Sequence, residues 1–225
     1  KLLRRTDLLH RWARDGVTPS TIGFDLNLTD RCPHRCPGCC AKYPEEYEMT
    51  VELANHCLGI LSGLGARGVN INGGEPLANR HLPEILALAK KRYGLSVGLM
   101  TNLYRLSDGE LDSILDNCKW VRVSIDAGTA STYSRTHGVP ESDFVGLLSR
   151  RVWLAKRGRD TTVGASMLTC EKYKNDILPF IENAEECGCD YVAFRPYNDD
   201  LWDAREEIEK HSRGRSIKVH VAGSK

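Results

Sequence analysis

Short apolar runs alternate along the chain with longer stretches in which apolar residues repeat at helical spacing. Six of these runs are rich in β-branched residues and have the length of a buried strand. They are Ile22–Leu28, Val69–Asn72, Ser96–Thr101, Trp120–Ile125, Thr161–Leu168 and Tyr191–Arg195. Because the runs are mostly apolar, we predict that they are strands of a parallel sheet covered on both faces.

The stretches between these runs carry the start and stop signals of helices. Thr50 is a predicted N-cap, and apolar residues from Ala54 to Leu64 follow it on one helical face. Gly188 follows the last stretch at the position where a glycine commonly ends a helix. Further helices are predicted over His81–Lys91, Ser107–Asn117, Asp143–Arg157 and Lys174–Cys187.

Strands and helices that alternate in this way form consecutive βα units, so the predicted fold class is α/β with parallel strands. Such a sheet is either open and doubly wound or curved into a partial barrel, and periodicity does not distinguish the two. In both folds, functional groups gather at the C-terminal ends of the strands.

Polar or metal-binding residues follow every predicted strand at that edge. A purely structural protein has little reason to place such groups there repeatedly, so we predict a functional site. The segments are Cys32–Cys40, Asn72–Pro76, Thr101–Asn102, Ser124–Gly128, Thr169–Cys170 and Arg195–Tyr197.

The βα pattern predicts a main domain over residues 21–198, flanked by two extensions. Residues 1–20 form a predicted N-terminal helical extension, in which Leu2–Trp12 is the helix. Residues 199–225 contain a charged helix candidate, Asp199–His211, and a further strand candidate, Ile217–Val221. The first residue is Lys1, so we expect that a longer protein continues beyond this chain into a truncated or disordered region.

Charge and hydropathy narrow the range of partners. The 225 residues include 31 Lys and Arg against 30 Asp and Glu, a net charge of +1, so no nucleic-acid partner is expected. The sequence has no apolar stretch of the roughly 18 residues needed to span a membrane. It also has no signal-peptide pattern. We therefore expect a cytoplasmic protein without a membrane partner.

Cysteine is unusually frequent, with nine residues in the chain. An odd number without an export signal disfavours a disulfide framework. Cys32, Cys36 and Cys39 have the spacing C-x3-C-x2-C, which can hold three irons of a [4Fe–4S] cluster and leave the fourth iron open. A zinc site is the alternative, with Cys40 or His34 as fourth ligand, although Cys40 directly adjoins Cys39.

The second predicted strand ends in Gly73-Gly74-Glu75-Pro76. Two glycines leave backbone groups uncovered, so a small charged ligand can approach the main chain. On its own this sequence predicts only a turn. One βα unit after the cysteine motif, it indicates a cofactor site.

These features resemble the radical S-adenosylmethionine (radical SAM) superfamily. The resemblance rests on the cysteine motif, on Gly73–Pro76 and on the six βα units, and it covers about residues 20–197. It implies a partial (βα)6 TIM-like barrel, a [4Fe–4S] cluster and S-adenosylmethionine as cofactor. The implied reaction is reductive cleavage of S-adenosylmethionine to a 5′-deoxyadenosyl radical, which takes a hydrogen atom from a small-molecule or peptide substrate.

The resemblance also implies partners. Enzymes of this kind receive electrons from a reductase system such as flavodoxin or ferredoxin. The segments Ser124–Gly128 and Tyr133–Gly138 resemble the SPASM/Twitch branch, whose members carry an auxiliary iron–sulfur cluster in a C-terminal region. The alternative function is an iron–sulfur or zinc-binding module for electron transfer or structure, without catalysis. An ordinary barrel enzyme with an Asp or His pair would leave the cysteine motif unexplained.

The resemblance assigns site residues position by position. The predicted cluster ligands are Cys32, Cys36 and Cys39. The predicted contacts with S-adenosylmethionine are Gly73, Gly74, Glu75, Pro76, Asn102, Ser124, Asp126 and Arg135, in which Arg135 is a partner for the carboxylate. The predicted catalytic residues are Asp126, Cys170 and Arg195.

Two positions depart from the family pattern. Gly38 stands before the third cysteine, where an aromatic residue near the adenine is common, and Leu103 follows Thr101-Asn102, where glycine is common. Adenine contact must then come from the backbone or from another residue.

The other cysteines and histidines receive mostly structural interpretations. Cys170 alone of the spare cysteines lies at the functional edge, where it could ligate a second cluster, donate hydrogen or pack. The seven histidines show no metal-binding spacing; His34 is expected to shield the cluster and His137 to lie on a loop. The cysteines predicted to pack away from the site are Cys57, Cys118, Cys187 and Cys189.

Overall fold

A computed structural model describes residues 23–39, 47–149, 159–197 and 202–222, together with Arg14 and Lys156. Seven strands form one sheet in the order β1 to β7, and every neighbouring pair is parallel. The strands are β1 Gly23–Asn27, β2 Gly68–Asn72, β3 Ser96–Thr101, β4 Cys118–Ser124, β5 Thr162–Thr169, β6 Tyr191–Pro196 and β7 Lys218–Val221.

The described helices lie between these strands. They are α1 Val51–Gly63, α2 Leu82–Ala87, α3 Asp108–Asn117, α4 Ala130–His137, α5 Ser142–Leu147, α6 Ile177–Glu186 and α7 Arg205–Ser212. A π-helical turn, Leu88–Arg92, extends α2, and 3₁₀ turns at Pro76–Ala78 and Glu171–Asp176 follow β2 and β5. Among the helices of the described part, none has the length and apolar character that crossing a bilayer requires.

The strictly sequential strand order decides between the two predicted sheets. A doubly wound sheet needs a point at which the strand order reverses, and this sheet has no such point. Crossovers between parallel strands are nearly always right-handed, so helices that connect strands in sequential order lie on one face. The fold is therefore a partial TIM-like barrel with its helices outside and a concave inner face.

Alternate strand residues form the core with the helices. Ile71, Leu99 and Val123 are fully buried among them, as are Leu58 and Ile85 from the helices. Burial of each such side chain stabilises the fold by about 1.5–3 kcal/mol relative to exposure.

The residues between these core positions face the concave side. On β1, β2 and β4 they are half-buried or exposed, and they include Asp25, Asn70 and Arg122. The prediction of strands covered on both faces is thus wrong for these three strands. It holds for most of β5, where five consecutive residues are buried.

All six predicted strands are confirmed within two residues at either end, and the further candidate is confirmed as β7. Thr50 caps α1, since its side chain accepts a hydrogen bond from the Leu53 amide. The prediction over Asp143–Arg157 is wrong in extent, because α5 ends at Leu147; residues 150–155 and 157–158 lie outside the described part.

Three further expectations are corrected or left open. The stretch 174–187 begins as a 3₁₀ turn and becomes α-helical at Ile177, and the charged helix α7 begins at Arg205. Helix α4 was not predicted. The predicted helix Leu2–Trp12 lies outside the described residues.

Candidate functional site

The cysteine loop, Thr29–Cys39, leaves the C-terminal end of β1 and is held at that edge by buried hydrogen bonds. The amide of Leu28 donates to the Asn72 carbonyl at 3.0 Å, which extends the β1–β2 pairing into the loop. The side chain of Asn79 is buried and donates at 2.9 Å to the carbonyls of both Leu28 and Met49. Asn79 was missed in the sequence, because its partners lie 30 and 51 residues away.

The three cysteines of the motif lie on one short turn. The Cys39 amide donates to the Cys36 carbonyl at 3.1 Å, and the Arg35 guanidinium donates to the Cys32 carbonyl at 2.6 Å. Cys32 and Cys36 are half-buried, whereas Cys39 is exposed. The pKa of the Cys36 thiol is raised to about 12, mainly by burial and also by the negative charges of Cys32 and Cys39. Three thiolates this close repel one another, so this donor set fits a cationic metal centre.

Two histidines lie beside Cys36, although the histidines show no metal-binding spacing along the sequence. The nitrogen Nδ1 of His137 lies 3.6 Å from the Cys36 sulfur and 3.1 Å from Nδ1 of His34. The candidate ligand atoms of His34, Cys36 and His137 all lie within 4.8 Å of one another. His34 and His137 are 103 residues apart, so no local spacing could reveal the pair.

The hydrogen bonds assign the tautomers of these rings. Nε2 of His137 lies 2.8 Å from the Ile125 carbonyl oxygen, which can only accept, so this nitrogen carries the proton. Burial lowers the pKa of His34 and of His137 to about 4, so both rings are neutral near pH 7. His137 Nδ1 is then unprotonated and accepts from Nδ1 of His34.

His137 is the last residue of α4, not a loop residue as predicted. Its carbonyl accepts a hydrogen bond from the Arg35 amide at 2.8 Å, and its ring stacks on buried Tyr133. Gly138 ends the helix with φ +66°, and a Cβ at this position would lie 2.7 Å from the Arg35 carbonyl oxygen. The local signals were Thr129, which caps α4, and Gly138 in the position after the last helical turn.

Gly73 and Gly74 pack against the cysteine loop. The amides of Gly74 and Glu75 donate to the carbonyls of Thr29 at 2.7 Å and Arg31 at 2.8 Å. Gly73 has φ +135°, and a Cβ on either glycine would overlap the loop backbone. The Gly74 amide, expected to stay uncovered for a ligand, is thus used within the protein, and the two glycines permit the turn to approach the loop.

Glu75 lies beneath this contact and is fully buried. One carboxylate oxygen accepts from the Thr101 hydroxyl and from the Leu77 amide, and the other accepts from the Asn102 amide at 2.7 Å. Burial raises the pKa of Glu75 to about 7 against the lowering effect of these bonds. All its described bonds are to the protein, so Glu75 joins the ends of β2 and β3. Pro76, also buried, begins the following turn.

Asn102 and Asn72 place amide side chains at the C-terminal edge of the sheet. Nδ2 of Asn102 lies 3.6 Å from the Cys32 sulfur. The side-chain oxygen of Asn72 is buried and has no hydrogen-bond partner among the described residues. A buried acceptor without a donor is costly, so a ligand with a donor group suits this position. Leu103 has φ +52°, which explains why glycine suits this position.

Asp126 and Ser124 stand at the end of β4, as predicted. Asp126 has φ +50°, and its carboxylate accepts from the Leu168 amide at 2.7 Å. Burial raises the pKa of Asp126 to about 6, while the Leu168 amide and the positive charge of Arg195 oppose the rise. The second carboxylate oxygen lies 3.8 Å from Nε2 of His137. Asp126 therefore adjoins the histidine pair.

The remaining predicted residues lie at different depths. Arg195 is exposed near the end of β6, and Cys170 is buried directly after β5. Arg135 is exposed on α4 and donates to Ser131 at 2.9 Å and to Thr132 at 3.2 Å. These bonds keep its guanidinium along its own helix.

Tyr197 occupies the space above Gly38. A Cβ at Gly38 would overlap the hydroxyl and ring of Tyr197, which follows β6. An aromatic ring thus lies beside the third cysteine after all, from a residue 158 positions further along the chain.

The spare cysteines at the opposite edge behave as predicted. Cys118 is buried at the start of β4, and Cys187 ends α6. Cys189 precedes β6 at the N-terminal edge, where Asp190 pairs with Val163 at the beginning of β5. Cys57 is half-buried against the core.

Comparison with known proteins adds the family. Residues 26–149 match the family model described as the radical SAM superfamily. The chain is 23% identical over 184 residues to a GTP 3′,8-cyclase from Chlorobaculum tepidum, which covers 79% of the chain and 55% of that protein. It is 32% identical over 127 residues to a PqqA peptide cyclase from Methylobacterium sp., which covers 54% of the chain and 33% of that protein. The chain thus spans about half or less of these relatives.

Solved structures show the same fold. Streptococcus suis SuiB bound to S-adenosylmethionine superposes with a TM-score of 0.79 at 12% identity, over 99% of this chain and 55% of that one. SuiB bound to its precursor peptide SuiA superposes equally well, with a TM-score of 0.79 over 53% of that chain.

Proposed function

Because this chain belongs to the radical SAM superfamily, we propose that it cleaves S-adenosylmethionine reductively and acts on a peptide or another small substrate. When bound, a [4Fe–4S] cluster would supply one electron to cleave the sulfonium C–S bond of S-adenosylmethionine, and the 5′-deoxyadenosyl radical so released would take a hydrogen atom from the substrate. Cys32, Cys36 and Cys39 would hold the cluster. The observation that carries this proposal is that one loop, hydrogen-bonded to the Gly74–Glu75 turn, holds all three thiols close enough for the charges of Cys32 and Cys39 to act on Cys36, within the matched segment.

Residues around the cysteines would bind and orient S-adenosylmethionine. The unpaired Asn72 oxygen at the end of β2 suits its amino group, and Asn102 lies beside Cys32 at the end of β3. The turn after β2 supports the cysteine loop, so it would contribute mainly by positioning that loop. This turn consists of Gly73, Gly74, Glu75 and Pro76. Tyr197 is the candidate ring for the adenine, since it covers Gly38.

The end of β4 would bind the ribose or carboxylate end of the cofactor. Ser124 and Asp126 stand there, and Arg195 is close enough to act on the charge of Asp126. To bind the carboxylate of S-adenosylmethionine, Arg135 would have to give up its hydrogen bonds to Ser131 and Thr132 on α4. Asp126, Cys170 and Arg195 remain the candidates for catalytic roles.

A peptide is the proposed substrate class. One relative is a PqqA peptide cyclase, and SuiB was solved with a precursor peptide. A GTP 3′,8-cyclase is also among the relatives, so a nucleotide is the competing small molecule. A flavodoxin or ferredoxin would supply electrons. An auxiliary cluster would need Cys170 or residues outside the described part.

A zinc-binding structural module is the second candidate function. It is favoured by the candidate ligand atoms of His34, Cys36 and His137, which lie within 4.8 Å of one another. The Ile125 carbonyl also fixes the orientation of the His137 ring. In this alternative the chain binds one zinc ion and cleaves nothing.

The test is anaerobic reconstitution followed by reduction in the presence of S-adenosylmethionine. We expect about four irons per chain from this motif and formation of 5′-deoxyadenosine. Replacement of Cys32, Cys36 or Cys39 by Ala should abolish both, whereas Cys57→Ala is the matched control away from the site. Stoichiometric zinc without iron uptake, or iron uptake that survives all three replacements, would contradict the proposal.

A further inference from the structure

The concave face of the sheet carries a stack of three side chains that the roles proposed above do not use. Trp120 and Arg122 reach this face from β4, and Tyr191 reaches it from β6. The residues next to them on each strand, such as Val121 and Val192, are buried in the core on the helical side. The three side chains therefore lie inside the partial barrel.

Two glycines make room for the aromatic rings. A Cβ at Gly98 would overlap the indole of Trp120, and a Cβ at Gly164 would overlap the ring of Tyr191. Each glycine pairs with the aromatic residue that covers it, on the adjacent strand. Gly98 pairs with Trp120, and Gly164 pairs with Tyr191. Both rings thus lie close against the sheet. A residue larger than glycine at position 98 or 164 would displace the ring that covers it.

Arg122 is held between the two rings. Its guanidinium carbon lies 5.5 Å from the Trp120 ring centroid and 5.8 Å from the Tyr191 ring centroid. Nε donates to the Tyr191 hydroxyl at 3.3 Å. Cation–π contacts of this kind fix the direction of a guanidinium. Less side-chain entropy is then lost when the guanidinium binds a ligand. Within the described part of the chain, its two terminal nitrogens have no carboxylate partner.

Small residues line the path from Arg122 to the functional edge. Ser124, Ser166 and Ala193 pair across three strands at the next level towards that edge. Two residues along a strand span about 6.6 Å, so the backbone of Arg122 lies about that far from this level, on the side away from the functional edge. Ser166 and Ala193 are buried, whereas Ser124 and Arg122 are half-buried, so a ligand group would reach the guanidinium past Ser124 on β4.

We propose that Arg122 binds a carboxylate group of the substrate. A single planar guanidinium with its terminal donors unused matches one carboxylate in a bidentate pair, whereas a polyphosphate needs several cations. The carboxylate would belong to an acidic side chain or to the C-terminus of a peptide. This inference rests on the proposed function only in assuming that a substrate enters the barrel.

The test compares three small probes in equilibrium titrations with the reconstituted protein and S-adenosylmethionine. N-acetylglutamate α-amide carries a side-chain carboxylate, N-acetylglutamine carries an α-carboxylate, and N-acetylglutamine α-amide carries neither. We expect one of the two acids to bind at least about tenfold more tightly than the neutral amide, a difference of about 1.4 kcal/mol. The preferred acid identifies the source of the carboxylate.

Variants assign the preference to Arg122. Arg122→Gln should reduce the ratio of affinities to about one. Arg122→Lys keeps the charge without the planar fork and should give an intermediate ratio, so it decides the question if Arg122→Gln does not fold. Arg92→Gln is the matched control, because Arg92 also lies over a tyrosine ring, 5.6 Å from the Tyr93 centroid, but is exposed on the outer helical side. Its ratio should equal that of the parent.

Equal affinity for all three probes would overturn the proposal, as would a preference that persists in Arg122→Gln. If pyrophosphate binds more tightly than both acids, and this binding depends on Arg122, the ligand group is a phosphate and the carboxylate proposal is wrong. A parent protein that prefers an acid but never forms 5′-deoxyadenosine contradicts the proposed function and leaves this inference standing. The reverse result contradicts only this inference.

Discussion

Gly73 and Gly74 show how single residues shape the site. Their lack of a side chain lets the β2 turn approach the backbone of Thr29 and Arg31 to hydrogen-bond distance. Glu75 then fixes Thr101 and Asn102 from below. The turn therefore supports the loop that carries the three cysteines, in addition to any contact with a cofactor.

Gly74→Ala should therefore destabilise the cysteine loop. The added Cβ would overlap the carbonyls of Asp30 and Arg31, and overpacking of this kind costs about 1–3 kcal/mol. We expect a lower free energy of unfolding in urea and a lower iron content after reconstitution. Gly63→Ala is the control, since a Cβ on that exposed helical glycine meets nothing within 4 Å and should leave both values unchanged or slightly improved. Equal behaviour of the two variants would refute this role.

Helix α4 is the element that joins the cysteine loop to the barrel. Asp176, before α6, accepts from the amides of Gly128 and Thr129 and from the Thr132 hydroxyl, which anchors the start of α4. The other end of α4 presents His137 to the loop. The helix thus holds Cys36 against the end of β4.

Gly138→Ala tests this link. Alanine at φ +66° is strained by about 1–2 kcal/mol, and its Cβ would also press on the Arg35 carbonyl. Gly188→Ala is the matched control, because Gly188 has φ +74° but open space around it. We expect urea titrations to show the larger loss of stability in Gly138→Ala, and only that variant to lose iron. If Gly188→Ala is as damaging, backbone strain alone explains the result.

Four titratable groups near the site, of which Asp126 is half-buried and the other three are buried, have shifted pKa values that affect stability in opposite directions. The pKa values of His34 and His137 are lowered to about 4, which makes the fold less stable as pH falls from about 6.5 to 4. The pKa values of Glu75 and Asp126 are raised to about 7 and about 6, which makes the fold less stable as pH rises through the same range. The two opposing effects largely cancel.

His137→Gln should expose this cancellation. Without one histidine that resists protonation, the free energy of unfolding of the metal-free protein should fall more steeply as pH rises from 4.5 to 6.5, by up to about 1.4 kcal/mol per pH unit relative to the parent. Urea titrations at several pH values measure the slope. His211→Gln is the control, since His211 lies on α7 away from the site. An unchanged slope in His137→Gln would show that this histidine does not titrate as its burial implies.

Local patterns in the sequence were sufficient for the strands, for most of the helices and for the cysteine motif, although they did not predict α4. Strand runs, the Thr50 cap and C-x3-C-x2-C depend on residues a few positions apart, and short-range geometry governs them. The C-terminal edge could also be predicted, because parallel βα units place all strand ends together. The family resemblance supplied the barrel where periodicity left two sheets open.

Contacts between distant residues could not be predicted in this way. The His34–His137 pair, the Tyr197 ring over Gly38 and the Trp120–Arg122–Tyr191 stack each join residues from separate strands or helices. Gly98 and Gly164 look like weak points in a strand until the rings that cover them are seen. The curvature and register of the sheet decide which rings lie over Gly98 and Gly164. Both properties arise when all seven strands and their helices pack together.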